Sequence, residues 1–479
     1  MNPLNPLNLD LAPLLERAFA IDVVEQTRVP LPAPFPSYVR GTFLLNGPAR
    51  FRRGSVRYRH WLDGDGMVAA VHVGDDGAHF TNRFVRSTKF TREDAEQRPV
   101  FRTFGTSFPG DELKRGIGLE SPVNVSVYPF RGALLAFGEQ GLPWALDPSS
   151  LETRGLYTFD GQLNEITPFS AHPKIDHQTG ELFNFGVSFS AHNPALNIFR
   201  FASDGRLVYR RRLPLPYPSS IHDFAISPGY IVFYVSPLVL RMDALMRQGA
   251  TLMDALSWQP ELGSRLMVAK RDTGDHVATI DAGGRYCLHL VNAFERDGRL
   301  VVDVVEFDKP LYSEYQVLPD LFTDTFRGHP VRFVVDTTAG SITDRRDIGY
   351  ACSPDFPAHD PDVVGLEYDD FWMLGISKAG RPGRKFFDHV VRVNWPTEQV
   401  ETFEAAPGCY FGGEPCFVPD PASPSSRGVV VCQQFDAQQV RSAFLVFDAF
   451  RIAAGPIATI PLPAPIPLLF HSAFYGSRT

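Results

Sequence analysis

The sequence predicts an all-β protein made of many short strands. Short apolar or alternating runs recur along the 479 residues, among them GALLAFGEQ, ELFNFGVSFS, GYIVFYVSPL, LVVDVVEFD, DDFWMLGIS, RGVVVCQQFD and SAFLVFDAF. Turn tracts such as DDG, DPSS, SDG, RDG and PDPASPSS separate them, as expected where strands alternate with tight reversals. The 41 Pro residues disfavour long helices, and the 39 Phe residues suit strand cores and apolar cavities. Strand runs without alternating long helices point to a barrel, sandwich or propeller. No strict repeat is visible, so the residues alone give no blade count.

From the N-terminus, residues 1–25 read as a Pro-rich lead followed by a short amphipathic helix around Leu11–Ala20. Residues 26–479 read as a single β domain carrying insertions. One insertion breaks the β pattern: SPLVLRMDALMRQGATLMDALSW, Ser236–Trp258, spaces Leu, Met and Val roughly as a helix would. Its ordinary reading is a helix packed on the β body. Its functional reading is an apolar patch that dips into a membrane to collect a lipophilic substrate.

Composition narrows the partners. A formal net charge of −8 leaves no electrostatic footprint for nucleic acid and no basic membrane-binding surface. Five cysteines (Cys287, Cys352, Cys409, Cys416, Cys432) form no CxxC pair and are expected as free thiols in a reducing compartment. The N-terminus has no basic segment followed by a continuous apolar run, and no uncharged stretch of about 20 apolar residues occurs. Cytoplasmic is the default location. The acidic tracts GDDG and HDPDVVGLEYDD lack EF-hand spacing and read as solvated turns.

Four histidines lie in unrelated local contexts: His172 in SAHPKIDHQTGELFNFG, His222 in IHDFAIS, His289 in LHLVNAFE and His471 in PIPLLFHSAF. Glu139, Asp355 and Glu414 sit in similarly apolar surroundings. Imidazole suits zinc, copper and iron, and a ligating imidazole usually passes its second N–H to a carboxylate. Spacing alone does not select these four from the 13 histidines, since no short pattern such as H-E-x-x-H is present.

The flanking sequences do select them. YVRGTFLLNGPARF, RYRHWLDGDGMVAAVHV, TNRFVRSTKF, LLAFGEQGLPWALDPSSLET, FGGEPCFVPD and LLFHSAF, together with the four histidine contexts, resemble the carotenoid cleavage oxygenase family from Tyr38 to Phe474. These are non-haem iron enzymes that split conjugated double bonds of carotenoids, apocarotenoids and stilbenes. The resemblance implies a seven-bladed β-propeller with iron on its axis under a cap of loops and short helices. It implies Fe(II) on His172, His222, His289 and His471, with Glu139, Asp355 and Glu414 holding His222, His289 and His471 respectively. His172 has no carboxylate partner in the family pattern. O2 and a lipophilic polyene are the implied reactants, and no protein nucleophile or general acid is required, because the metal carries the oxygen chemistry.

Three departures bear on substrate. Asp355 stands where the family usually has Glu, one methylene longer. Gly138 precedes Glu139 where many carotenoid-cleaving members carry Trp and stilbene-cleaving members carry a phenolate-holding Lys. Val125 stands where some microbial members have Thr beside an open metal position. Val125, Gly138 and Phe104 are the candidate cavity residues. The expected reaction is Fe(II)-dependent cleavage of one double bond of a linear apocarotenoid or carotenoid to two carbonyl products, with peripheral membrane contact through residues 236–258. Alternatives are a stilbenoid or phenylpropanoid cleaving oxygenase, a retinyl-ester isomerase, and a propeller that binds carotenoid or another lipid without cleaving it. Intact His172, His222, His289 and His471 weigh against the pure binder.

Overall fold

A computed structural model describes residues 17–19, 23–24, 27–115, 118–190, 192–312, 321–323, 325–381 and 385–476. Seven antiparallel sheets form a seven-bladed β-propeller. Most of the expected N-terminal helix around Leu11–Ala20 lies outside the described residues. Six blades are four-stranded meanders whose first strand lines the axis, blade 4 carrying an insertion between its second and third strands. Those inner strands are Ser126–Phe130 (blade 2), Lys174–Asp176 (blade 3), Phe224–Ile226 (blade 4), Tyr286–Arg296 (blade 5), Ser353–Ala358 (blade 6) and Cys409–Pro419 (blade 7).

Blade 1 closes the ring. Its order is Thr27–Val29, Gly77–Phe84, Asp65–Gly74, Gly41–Arg50 and, innermost, the C-terminal strand His471–Tyr475. That last strand pairs from Thr42↔Tyr475 to Asn46↔His471. Both ends of the chain thus meet in one sheet, and His471 is placed on the axis by a partner more than four hundred residues earlier.

Alternation along each strand explains the packing. The inner strands are mostly buried on both faces, while an outer strand such as Ser341–Asp347 is almost wholly exposed. Neighbouring blades press apolar faces together. Phe43, Val71 and Phe80 of blade 1 meet Val429, Phe444 and Ile460 of blade 7, and Phe185 and Ile198 of blade 3 meet Phe224 and Phe233 of blade 4. Each such side chain stabilises the fold by about 1.5–3 kcal/mol when fully buried.

The cap is built from insertions. After the helix Thr88–Glu96, the chain crosses residues 97–125 before entering blade 2. The tract HWLDGDGMV anchors this crossing: Asp63 accepts the backbone N–H of Gly105 at 2.7 Å and the Thr106 hydroxyl at 2.6 Å. Glu93, fully buried beside Lys89 and Arg53, accepts the N–H groups of Val100 and Phe101, each at 3.1 Å. The segment that carries Phe104 is therefore held from both sides.

The Ser236–Trp258 insertion is not one continuous helix. Strands Leu238–Leu240 and Leu256–Trp258 pair as a ribbon, with short helices Met242–Arg247 and Leu252–Ala255 between them. Gly249 at φ +69° breaks the helical run, and the Thr251 side chain caps the next helix by accepting the N–H of Asp254 at 3.0 Å. Leu238, Leu240, Leu245 and Leu252 are all buried, so these residues turn inward rather than present an apolar face to a bilayer. Among the described residues no helix is long and apolar enough to cross a membrane.

Candidate metal centre

Seven polar side chains around the axis come from the seven blades in turn: His471 from blade 1, Glu139 from blade 2, and His172, His222 and His289 from blades 3, 4 and 5. Blade 6 sends Asp355 and blade 7 sends Glu414. Three of these seven sit on β-bulges, where the ladder register shifts: His289 between Cys287 and Leu290, Asp355 between Asp355 and Ala358, and Glu414 between Gly412 and Cys416. A bulge bends its strand and re-aims a side chain, which is how regular blades deliver charged groups inward. The bulges use unusual backbone. Phe356 sits at φ +53° and Gly413 at φ +76°, and a Cβ on Gly413 would lie 2.6 Å from the Leu45 side chain.

The four histidines are buried, and one nitrogen from each lies within 4.8 Å of those of the others, a group that could hold a metal ion. Two are firmly anchored. His222 donates its Nδ1–H to Glu139, whose oxygens lie 2.9 and 2.8 Å away, and His289 donates to Asp355 Oδ1 at 2.6 Å. Asp355 therefore reaches its histidine directly despite being one methylene shorter than Glu. The other two are looser. His471 Nδ1 is 3.6 Å from Glu414, beyond hydrogen-bond reach, and the ring is fixed instead by its backbone, whose N–H meets Val125 O at 3.2 Å.

His172 has a neighbour that the family pattern did not suggest. Its Nδ1 lies 3.9 Å from Asp223 Oδ1, an oxygen already engaged by Lys174 Nζ and the N–H of Phe224, each at 2.8 Å. The other Asp223 oxygen accepts the N–H of Leu290 at 2.9 Å. Asp223 thereby ties blades 3, 4 and 5 together directly behind the histidines. Its position immediately after His222 was the only available signal in the sequence.

The donor set fits a cation. A histidine whose Nδ1–H is donated to a carboxylate presents a bare lone pair at Nε2 when neutral. His222 does so, and its Nε2 faces His172 Nε2 at 2.8 Å. His289 Nε2 is buried with no hydrogen-bond partner, which is costly unless something positive sits before it. Two nitrogens about 2.1 Å from one ion and at right angles would lie about 3 Å apart. Burial, reinforced by the neighbouring histidines, pushes His172 well below its ordinary pKa, and burial also lowers His471. Both are thereby kept in the neutral form that ligates. Burial lowers His289 too, but Asp355 outweighs it and the net shift is upward.

Two large cavities flank the centre. On the cap side lies one of about 480 Å3, lined by Phe104, Phe169, Phe185, Leu240, Leu245 and Tyr312 among others, and touching Glu139. Of the three candidate cavity residues only Phe104 lines it, packed 4.7 Å from the His60 ring and 5.2 Å from the Tyr312 ring. Gly138 lines neither large cavity; a Cβ there would lie 2.0 Å from Ser121 Oγ, so the serine occupies the room a side chain would need. Val125 is buried against His471 and also lines neither. The second cavity, about 360 Å3, runs along the axis on the other side and is lined by His172 and His289 themselves. All five cysteines are free.

Residues 22–476 match the retinal pigment epithelial membrane protein family. The chain is 29% identical to the apocarotenoid-15,15'-oxygenase of Synechocystis sp., covering 92% of this chain and 91% of that protein. It is 27% identical to the isoeugenol monooxygenase of Pseudomonas putida, over 92% and 93%. It is 35% identical to resveratrol cleavage oxygenase 1 of Aspergillus fumigatus, over 53% and 50%. In three dimensions it superposes on a crystallised variant of the Synechocystis apocarotenoid oxygenase with TM-score 0.87 and 26% identity, over 97% and 99% of the two chains. A cobalt-substituted form of the same enzyme gives TM-score 0.87 at 25% identity, over 97% and 99%. With seven blades, four converging histidines and a match across nearly its whole length, the chain belongs to the retinal pigment epithelial membrane protein family, the carotenoid cleavage oxygenases.

Proposed function

We propose that this protein is an Fe(II)-dependent dioxygenase that cleaves one conjugated carbon–carbon double bond of a linear apocarotenoid, consuming one O2 and placing one oxygen atom on each of two carbonyl products. The observation that carries this reading is the buried four-histidine group together with an apolar cavity of about 480 Å3 that reaches Glu139, the partner of His222, a size within the usual range of about 300–1,000 Å3 for small-molecule sites. His172, His222, His289 and His471 would hold the metal, and a relative that accepts cobalt supports a metal at this position. Bound iron would supply the open-shell centre that lets triplet O2 react with a closed-shell alkene.

The remaining work belongs to the chain. Glu139 and Asp355 fix the ring orientation of His222 and His289 and make both imidazoles better donors. Phe104, Phe169, Phe185, Leu240 and Leu245 offer an apolar wall that orients an extended polyene and excludes water from the reacting bond. No lysine stands at residue 138 to hold a phenolate, and Ser121 fills the adjacent space.

A phenylpropanoid or stilbene substrate is the second reading. It draws on the isoeugenol and resveratrol enzymes among the relatives and on Lys114 and Tyr312 in the cavity wall. The separating experiment is anaerobic Fe(II) loading, then a panel of apocarotenals, 4-hydroxystilbenes and isoeugenol in air, with mass spectrometry of the aldehydes. Two aldehydes from an apocarotenal are expected. Clean conversion of a 4-hydroxystilbene or isoeugenol with no reaction on any apocarotenal would overturn the first reading in favour of the second. Peripheral membrane contact would involve the cavity rim, where Ile166 and Met246 are exposed.

A further inference from the structure

The two cavities differ in what they touch. None of the four histidines lines the cap-side cavity, whereas His172 and His289 line the axial one. The axial wall also carries Asp223, Glu414 and Lys174, two carboxylates against one ammonium, with Ser472 nearby. Its outer part includes the half-buried Ile175, Pro361 and Val364 and the exposed His177, so it communicates with solvent. A hydrated divalent cation sheds water only where polar groups replace it, and it is drawn toward net negative charge. The axial cavity meets both conditions. The cap-side cavity balances Glu139 and Glu165 against Lys114 and Arg115, so it offers no net negative charge, and beside Glu139 it is walled by Phe104, Leu119 and Leu252.

The histidines also differ in how firmly they are held. His222 and His289 are held at 2.6–2.9 Å by their carboxylates. His172 is held by none: Asp223 is 3.9 Å away and committed to Lys174 and to two backbone N–H groups. His471 is likewise without a carboxylate bond, its Nδ1 3.6 Å from Glu414, and of these two loosely held histidines only His172 faces the axial cavity.

We propose that the axial cavity is the path by which the metal ion reaches and leaves the centre, with His172 as the ring that yields to let it pass, while the cap-side cavity serves the organic substrate. This rests on the metal centre proposed above. Division of labour follows from it: the apolar side can stay closed and dry around a substrate while metal exchange proceeds from the polar side.

The test uses metal-free full-length chain and Co2+, followed by its visible absorption in stopped flow, with release measured into excess chelator. Ala358→Leu and Ala473→Leu narrow the axial cavity from blades 6 and 1, and Ile166→Trp crowds the rim of the cap-side cavity. Both axial variants are expected to slow uptake and release by the same factor, tenfold or more, with equilibrium affinity unchanged. Ile166→Trp is expected to leave both rates within twofold of wild type. Preserved affinity shows that the variants are folded with an intact centre. Unchanged rates in both axial variants, slower uptake in Ile166→Trp, or slower uptake with a matching loss of affinity would each overturn the proposed path. Failure of the wild-type chain to bind any Co2+ would instead overturn the metal centre itself.

Discussion

Asp355 Oδ1 accepts the Nδ1–H of His289 at 2.6 Å, shorter than the bond between Glu139 and His222. The shorter side chain loses no reach because the bulge between Asp355 and Ala358 carries it inward, with Phe356 at φ +53°. The same carboxyl oxygen accepts the N–H of Phe356 at 2.8 Å, so backbone and side chain define one geometry. Lengthening it therefore brings no gain. Asp355→Glu is expected to lower metal retention and to cost about 1–3 kcal/mol of stability through overpacking of a fully enclosed site. Equilibrium metal titration and urea unfolding of the variant check both; tighter metal binding would show that the bulge does not set the reach.

Glu139→Gln keeps the shape of the side chain but weakens its pull on His222. An amide can still accept one hydrogen bond, yet it adds no negative charge beside the imidazole. Metal affinity or turnover is expected to fall roughly 10–100-fold, the usual effect of removing such a partner. Glu414→Gln is expected to do less, because Glu414 stands 3.6 Å from His471 Nδ1. Equal losses in the two variants would mean that both carboxylates act through charge alone.

Metal content follows from the ligand set. Purified protein reconstituted with Fe(II) is expected to hold about one iron per chain, and His222→Ala or His289→Ala to abolish both retention and activity. The quadruple variant lacking His172, His222, His289 and His471 should hold none. Stoichiometric iron in that protein, measured by elemental analysis, would sink the assignment.

Much of this centre could be seen in the sequence because its residues lie inside long, distinctive strings. HWLDGDGMV and the four histidine contexts led to a seven-bladed propeller and to the seven side chains that the structure brings to the axis. What could not be seen depends on partners distant in sequence. The bulges at His289, Asp355 and Glu414 exist only relative to the neighbouring strand, so no local pattern announces them. Asp223 works through blades 3 and 5 from a position beside a ligand, where it reads simply as a flanking residue. Residues 236–258 misled for another reason: their apolar spacing is helical, but Gly249 and Thr251, both plain in the sequence, punctuate it more strongly than the periodicity binds it.

The burial of that segment changes what its mutation does. Leu240 and Leu245 are about 3% and 4% exposed and line the cap-side cavity. Placing Glu at either position puts a carboxyl group into an apolar wall, so the first effect is on folding, at or above the top of the range of about 0.5–3 kcal/mol for single substitutions. Met246→Ser, at the 38% exposed rim, should leave stability unchanged and raise the apparent KM for detergent-dispersed substrate. Denaturant midpoints and KM for the three variants separate the cases; wild-type stability in Leu245→Glu would show that this side chain faces solvent.

Gly138 sets a steric test of the packing next to Glu139. Because a Cβ at this position would meet Ser121 Oγ at 2.0 Å, Gly138→Ala must displace the serine, whose oxygen accepts the N–H of Val123 at 3.2 Å. The single variant is expected to lose activity and the Gly138→Ala, Ser121→Gly double variant to recover much of it, a coupling read by a double-mutant cycle. Additive losses would mean that the two residues do not share one space.

His60 links stability to pH. Its Nδ1 accepts the N–H of Leu62 at 3.0 Å and its Nε2–H donates to Tyr312 O at 3.1 Å, while its ring backs Phe104 in the cavity wall. Burial pushes its pKa down to about 4, despite Asp63 nearby. In the unfolded chain the same group titrates near 6.5. Between pH 6.5 and 4 the unfolded chain therefore takes up a proton that the folded chain refuses, and stability falls as pH falls. A shift of this size corresponds to about 3 kcal/mol, fully present above pH 6.5 and lost on approaching pH 4, below which the curve flattens. His359, also lowered to about 4 by burial, adds a parallel slope. Urea unfolding of metal-free protein at pH 7 and pH 5 measures the sum, to which the buried His172 and His471 also contribute. His60→Gln should remove its own contribution while leaving the others, so wild type and variant converge as pH falls; an identical pH dependence in both would show that His60 takes up its proton without unfolding.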